Sequence, residues 1–113
     1  MRELSNDILK RLNQRPIAFY PFYTDLTGST TTGIVLSQLM CWFSKKDKFR
    51  KTDVEIKNVT HISTNELRTV KFNLKRLDFL TIKREGVPAK THYEIDWDKY
   101  TETITNFLKE LGI

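Results

Sequence analysis

Asn65, Arg68, Thr69, Lys71, Phe72, Lys75 and Arg76 crowd into twelve consecutive positions. On a helix, at about 100° per residue, Asn65, Arg68, Thr69, Phe72 and Arg76 gather on one face, with Lys71 and Lys75 on its flank. The set comprises amide, hydroxyl and guanidinium donors, ammonium cations and one aromatic ring. Such groups meet phosphate oxygens and base edges well. The competing reading is a solvated helix face whose cations serve solubility, since charged outer faces are the norm. Three more cations, Lys83, Arg84 and Lys90, follow shortly after.

Other chemistry has less support. His61 and His92 are far apart, with no cysteine near either, which argues against a metal site. Glu94, Asp96 and Asp98 alternate, and their ordinary reading is a polar strand face plus a helix cap at Asp96 or Asp98. Gly28 and Gly33 are isolated and form no phosphate loop. No serine–histidine or cysteine–histidine pair has supporting context. Cys41 lies between Met40 and Trp42 in an apolar run and reads as a buried, inert thiol. The expectation is a binding protein without catalytic residues, cofactor or metal.

The elements that must position these residues are marked by local signals. Ser63 and Glu66 form a capping box, with Ile62 and Leu67 as its hydrophobic staple. Leu67, Val70, Leu74 and Leu77 recur at helical spacing and define a core face opposite the polar one. Thr52 and Glu55 form a second capping box, predicting a short helix to about Val59 and a turn over residues 60–62. Two capped helices so joined make a helix-turn-helix. Leu80–Arg84 and His92–Trp97 alternate apolar and polar residues around the turn-forming stretch Glu85–Lys90, which predicts a β-hairpin. Leu80, Ile82, Tyr93, Ile95 and Trp97 are expected to face inward, with Lys83, Arg84 and Lys90 together at the tip.

Upstream, Leu4, Ile8, Leu9 and Leu12 predict an amphipathic helix over residues 3–13, ended before Pro16. Residues 17–21 read as extended, and Phe22–Leu26 as one helical turn. Thr30–Thr32 offer cap hydroxyls. The almost continuously apolar run Gly33–Phe43 predicts a buried central helix over about 30–44. Lys45–Lys48 is a charged turn and Phe49–Lys51 a short extended piece. Downstream, Trp97, Tyr100, Ile104, Phe107, Leu108 and Leu111 predict a closing helix.

The 113 residues suffice for one domain with a core that needs no staples. The net charge of +5 is unevenly spread: residues 1–44 carry +1, 45–92 carry +7 and 93–113 carry −3. A basic middle implies a polyanionic partner. One cysteine allows no internal disulfide and fits a reducing compartment. No apolar stretch is long enough for a membrane span and the N-terminus lacks an apolar signal region, so a cytoplasmic location is expected.

The order of elements is that of a winged helix-turn-helix, an α+β and mainly α fold in which the hairpin is the wing and helices flank both ends. Arg15-Pro16-Ile17-Ala18-Phe19, Leu26-Thr27-Gly28-Ser29, Leu36-Ser37-Gln38, Lys51-Thr52, Gly86-Val87-Pro88-Ala89-Lys90 and Tyr93 resemble the winged-helix domains of phage and mobile-element replication proteins. The resemblance runs from about residue 15 to 100. It implies a DNA-replication setting, as an origin binder, a primosome component or an accessory of a helicase, primase or polymerase. Phe72 departs from simple duplex readout, because an exposed aromatic there stacks on an unpaired base or docks on a protein.

Three functions follow as expectations. The first is a DNA-binding accessory of phage or mobile-element replication, with single-stranded DNA as a candidate ligand. Arg68, Lys71, Lys75, Arg76, Lys83, Arg84 and Lys90 would meet phosphates, and Asn65, Thr69 and Phe72 bases. The second is a duplex-binding transcriptional regulator, dimerised through residues 3–13 and 98–111. The third is a protein-interaction adaptor for a larger replication enzyme, anchored by Phe72 or the terminal helix.

Overall fold

The computed structural model describes residues 17–87 and 90–112, together with Asn6. The helix expected over 3–13 therefore falls, apart from Asn6, outside the described residues, as do Pro88 and Ala89 of the hairpin turn. The described chain is α+β and mainly helical: α1 (Pro21–Thr27), α2 (Thr30–Phe43), β1 (Lys48–Lys51), α3 (Asp53–Thr60), α4 (Thr64–Leu74), β2 (Leu80–Glu85), β3 (Lys90–Ile95) and α5 (Trp97–Glu110). No described helix is long and apolar enough to cross a membrane.

Helix α2 is the centre of the molecule, as its apolar run predicts. Val35, Leu36, Leu39, Met40 and Phe43 are buried, and so are Thr32, Ser37 and Gln38. The buried hydroxyls find partners. Ser37 Oγ donates to the Gly33 carbonyl at 2.7 Å and accepts from the Tyr20 N–H at 3.0 Å. Thr32 Oγ1 accepts from Asn73 Nδ2 at 3.0 Å, which ties α2 to the end of α4. The N-cap is Ser29, whose Oγ accepts from the Thr32 N–H, and not one of the three threonines that follow. Helix α1 crosses so close that a methyl on Gly33 would lie 2.8 Å from the Thr24 backbone nitrogen. Gly33 is thus required by the crossing, since nothing but backbone movement could relieve that contact. Residues 17–20, expected to be extended, belong to no strand, and Pro21 already opens α1 at the position where its missing N–H costs nothing.

Both capping boxes form. Thr52 Oγ1 accepts from the Glu55 N–H at 3.1 Å, and Ser63 Oγ from that of Glu66 at 3.1 Å. Each glutamate returns a bond to its cap's N–H. Backbone hydrogen bonding to Thr52 and to Ser63 holds the Glu55 and Glu66 carboxyls below the ordinary glutamate value. His61 ends α3 in the left-handed region, with φ 58°, and turns the chain into α4.

The three strands form one antiparallel sheet in the order β1-β3-β2. Phe49 and Ile82 both lie opposite Tyr93, and Leu80 opposite Ile95. This face is covered by the helices, and Tyr93, Ile95 and Leu80 are buried there. Phe49 stacks on Tyr93 at 5.5 Å between centroids.

Three expectations are corrected. The leucine spacing that includes Leu77 overshoots the helix. Helix α4 stops at Leu74, because the Arg76 and Leu77 N–H groups bond to carbonyls only three residues back and the tightened chain turns Phe79 and Leu80 into the core. Trp97 does not face inward. It opens α5, 38% exposed, with its indole N–H donating to Asp47 at 2.9 Å. Cys41 is exposed, on the outward side of α2. Helix α5 buries no residue completely. It leans on the core through Phe107 against Phe22 and Tyr100 against Phe79, with Asp96 as its cap.

Tyr23 and Tyr93 make the fold sensitive to alkali. Burial, first of all, raises the phenol pKa of both, and the 2.7 Å bond to Tyr100 adds to it for Tyr23. Both phenols stay neutral in the fold at a pH where the unfolded chain ionises, near 10. Unfolding then releases protons, so the stabilising contribution is complete below pH 10 and is lost as pH climbs above it. Melting curves from pH 8 to 11 should fall at the alkaline end, and less steeply in Tyr93→Phe. A flat profile would contradict the burial of both rings.

Candidate nucleic-acid interface

Helix α4 is held by its own chemistry at one end and by the core along one side. The capping box fixes its start, and Leu67, Val70 and Leu74 bury its inner face. The opposite side carries the polar residues. Asn65, Arg68, Thr69 and Phe72 are all exposed on it, Phe72 by 66%. Among the described residues Phe72 takes part in no aromatic pair. Thr69 Oγ1 makes a long back-bond of 3.4 Å to the Asn65 carbonyl, a weak interaction that a ligand would displace at little cost.

The remaining residues separate. Lys75 and Arg76 are exposed, but on the turn after α4 and not on the helix itself. Arg76 borders a small cleft with Leu26, Thr27, Asn73 and Leu77, between α1 and the end of α4. Lys71 is withdrawn from the outer face. It is only partly exposed and its ammonium pairs with Asp53 at the start of α3. That pair links the two helices of the turn, and it offsets the charge that Lys71 would bring to a phosphate.

The hairpin cations divide as well. Side chains alternate across a sheet, so Arg84 shares the helix-covered side with Leu80 and Ile82, whereas Lys83 and Lys90 point to the other. There Lys83 lies opposite His92 and Lys90 opposite Glu85 in the register. The three cations remain at the turn end of the hairpin, with Arg84 on one face and Lys83 and Lys90 on the other. Of these three cations, Arg84 alone is on the side of the sheet that the helices occupy.

The face that carries Lys83 and Lys90 continues onto β1. Arg50 lies opposite His92 from the other flank, and Lys48 opposite Glu94, to which it makes a loose ion pair of 3.9 Å. Around the free edge of β1 runs an open cleft of about 600 Å³ lined by Trp42, Lys45, Lys46, Lys48, Phe49, Arg50, Lys51 and His92. In the sequence most of these residues read as no more than a charged turn and a short strand. The signal that points to them is the interleaving of Trp42 and Phe49 with five cations.

The other residues weighed for chemistry are dispersed. His61 caps α3 and His92 is on the sheet, while Glu94, Asp96 and Asp98 occupy a strand face, a helix cap and a first helical turn. Comparison with known proteins adds no relative: the chain matches no family model, no curated protein and no solved structure.

Proposed function

We propose that this chain is a winged-helix DNA-binding protein, an accessory of phage or mobile-element replication, with α4 as its reading helix. The observation that carries the proposal is the outer face of α4, where Asn65, Arg68, Thr69 and Phe72 all stand in solvent on a helix fixed by its cap and core. The architecture agrees with it. Helix α2, strand β1, the capped pair α3–α4 and the hairpin β2–β3 follow in the winged-helix order, and the sheet order β1-β3-β2 puts the hairpin beside the first strand. Arg68, Lys75 and Arg76 would contact phosphates, with Arg84 from the hairpin. Asn65, Thr69 and Phe72 would contact bases. The replication setting rests on the short stretches between Arg15 and Tyr93 that resemble replication proteins. One observation favours a second reading: an aromatic ring as exposed as Phe72 is also a docking anchor for a primase, polymerase or helicase.

The test is a titration of fluorescent DNA with wild type and with Arg68→Ala/Arg76→Ala. Both side chains are exposed, so melting should be unchanged within about 0.5 kcal/mol. DNA affinity should fall about tenfold, and the slope of log K against log salt should flatten by about 1 for each phosphate that is no longer neutralised. Wild-type affinity and salt slope in the double variant would remove α4 as the reading helix.

A further inference from the structure

We infer that the cleft at the free edge of β1 is a second, separate binding site, which takes a nucleobase together with its phosphate. Its lining combines the two groups such a ligand needs. Lys45, Lys46, Lys48, Arg50 and Lys51 place five cations within seven positions, and Trp42 and Phe49 stand among them. The only acidic residue in that run is Asp47, and its carboxylate is turned away to the Trp97 indole N–H. Among the described residues, Lys45, Lys46 and Arg50 make no ion pair. Their charge is available to a ligand, and Arg50 can grip a phosphate with two parallel donors.

The aromatic part is equally specific. Trp42 is half-buried, braced edge-on by Phe49 at 5.6 Å, and Phe49 is itself fixed against Phe43 and Tyr93. The indole is therefore rigid while only half-buried. The ammonium of Lys51 stands 4.5 Å from its ring centroid, so that face is reachable by a group that is not part of the core. A base that stacks there displaces the Lys51 ammonium along its flexible stem toward the base's own phosphate. Stacking on an aromatic inside a cationic groove is the way single strands are held without regard to sequence. No residue of α4 lines the cleft, so the inference does not depend on how α4 is used.

Trp42 provides the readout. The full-length chain is titrated with short oligodeoxythymidine, thymidine monophosphate, inorganic polyphosphate and polyglutamate, following tryptophan emission. The oligonucleotide should quench wild type, and the quench should disappear in Trp42→Phe, whose remaining tryptophan is Trp97. Lys46→Glu/Arg50→Glu should weaken that binding about tenfold or more at low salt, whereas Arg68→Ala/Arg76→Ala should leave the quench in place. Equal quenching by the mononucleotide would identify the ligand as a free nucleotide, and quenching by the oligonucleotide alone as a single strand; either supports the site. The inference is overturned if neither nucleotide probe quenches Trp42. It is overturned as well if the charge variant binds like wild type, or if polyphosphate or polyglutamate binds as tightly as the oligonucleotide. These outcomes are independent of the α4 test, because each uses residues absent from the other.

Discussion

Leu74→Ala is expected to lower the stability of the protein by about 2–5 kcal/mol, the range for truncating a leucine in a closed core. Leu74 is 1% exposed and belongs to the cluster in which α4 meets α2, with Leu36, Leu39, Val70 and Phe79. It is the last residue of α4, so the chain on either side of it is fixed: Asn73 is bonded to Thr32, and Phe79 is anchored in the core. With the backbone held, a cavity there cannot collapse easily. A domain of this size has a total stability of about 5–15 kcal/mol, so the melting temperature should fall on the order of 10–20 °C. Arg68→Ala, on the opposite face of the same helix, is the control and should melt like wild type. If the two variants melted alike, the division of α4 into a core face and a ligand face would be wrong, and the proposed reading helix with it.

Phe72→Ala is expected to weaken single-stranded DNA binding by about 1–3 kcal/mol, the value of one stacked base. Duplex binding, which on the proposed function would rest on cations, should change less. Stability should not fall. The ring is 66% exposed, so little burial is removed, and alanine is the better helix former. Because the fold is unaffected, the variant separates the two readings of the exposed ring. Loss of single-strand affinity assigns it to base stacking. Unchanged binding of both DNA forms, with loss of a replication enzyme in a pull-down, assigns it to docking. Equal losses on single strand and duplex would remove the single-strand preference and leave a general DNA binder. The measurement is one series at matched salt, wild type against variant on both DNA forms, with melting curves alongside.

The elements of this protein are legible in its sequence because the signals that make them are local. Thr52 with Glu55 and Ser63 with Glu66 are three positions apart, and each pair satisfies backbone groups of its own helix. The alternation of Leu80–Arg84 and His92–Ile95 is likewise a property of neighbouring residues, and so is the leucine spacing that turns Arg68 and Phe72 outward. Other features are decided only when distant parts of the chain meet. Lys71 looks like a phosphate ligand until α3 brings Asp53, eighteen positions earlier, to its ammonium. Trp97 looks like a core residue until Asp47, fifty positions earlier, takes its N–H. Lys83, Arg84 and Lys90 look like one patch until the strand register divides them between two faces. Arg50 and His92 become neighbours only because β1 pairs with β3, and that pairing wraps five cations and two aromatic rings around one sheet edge. The physical reason is range. Caps and amphipathic periods are satisfied within a few residues, whereas the charge and exposure of a side chain depend on which partner the folded chain delivers to it.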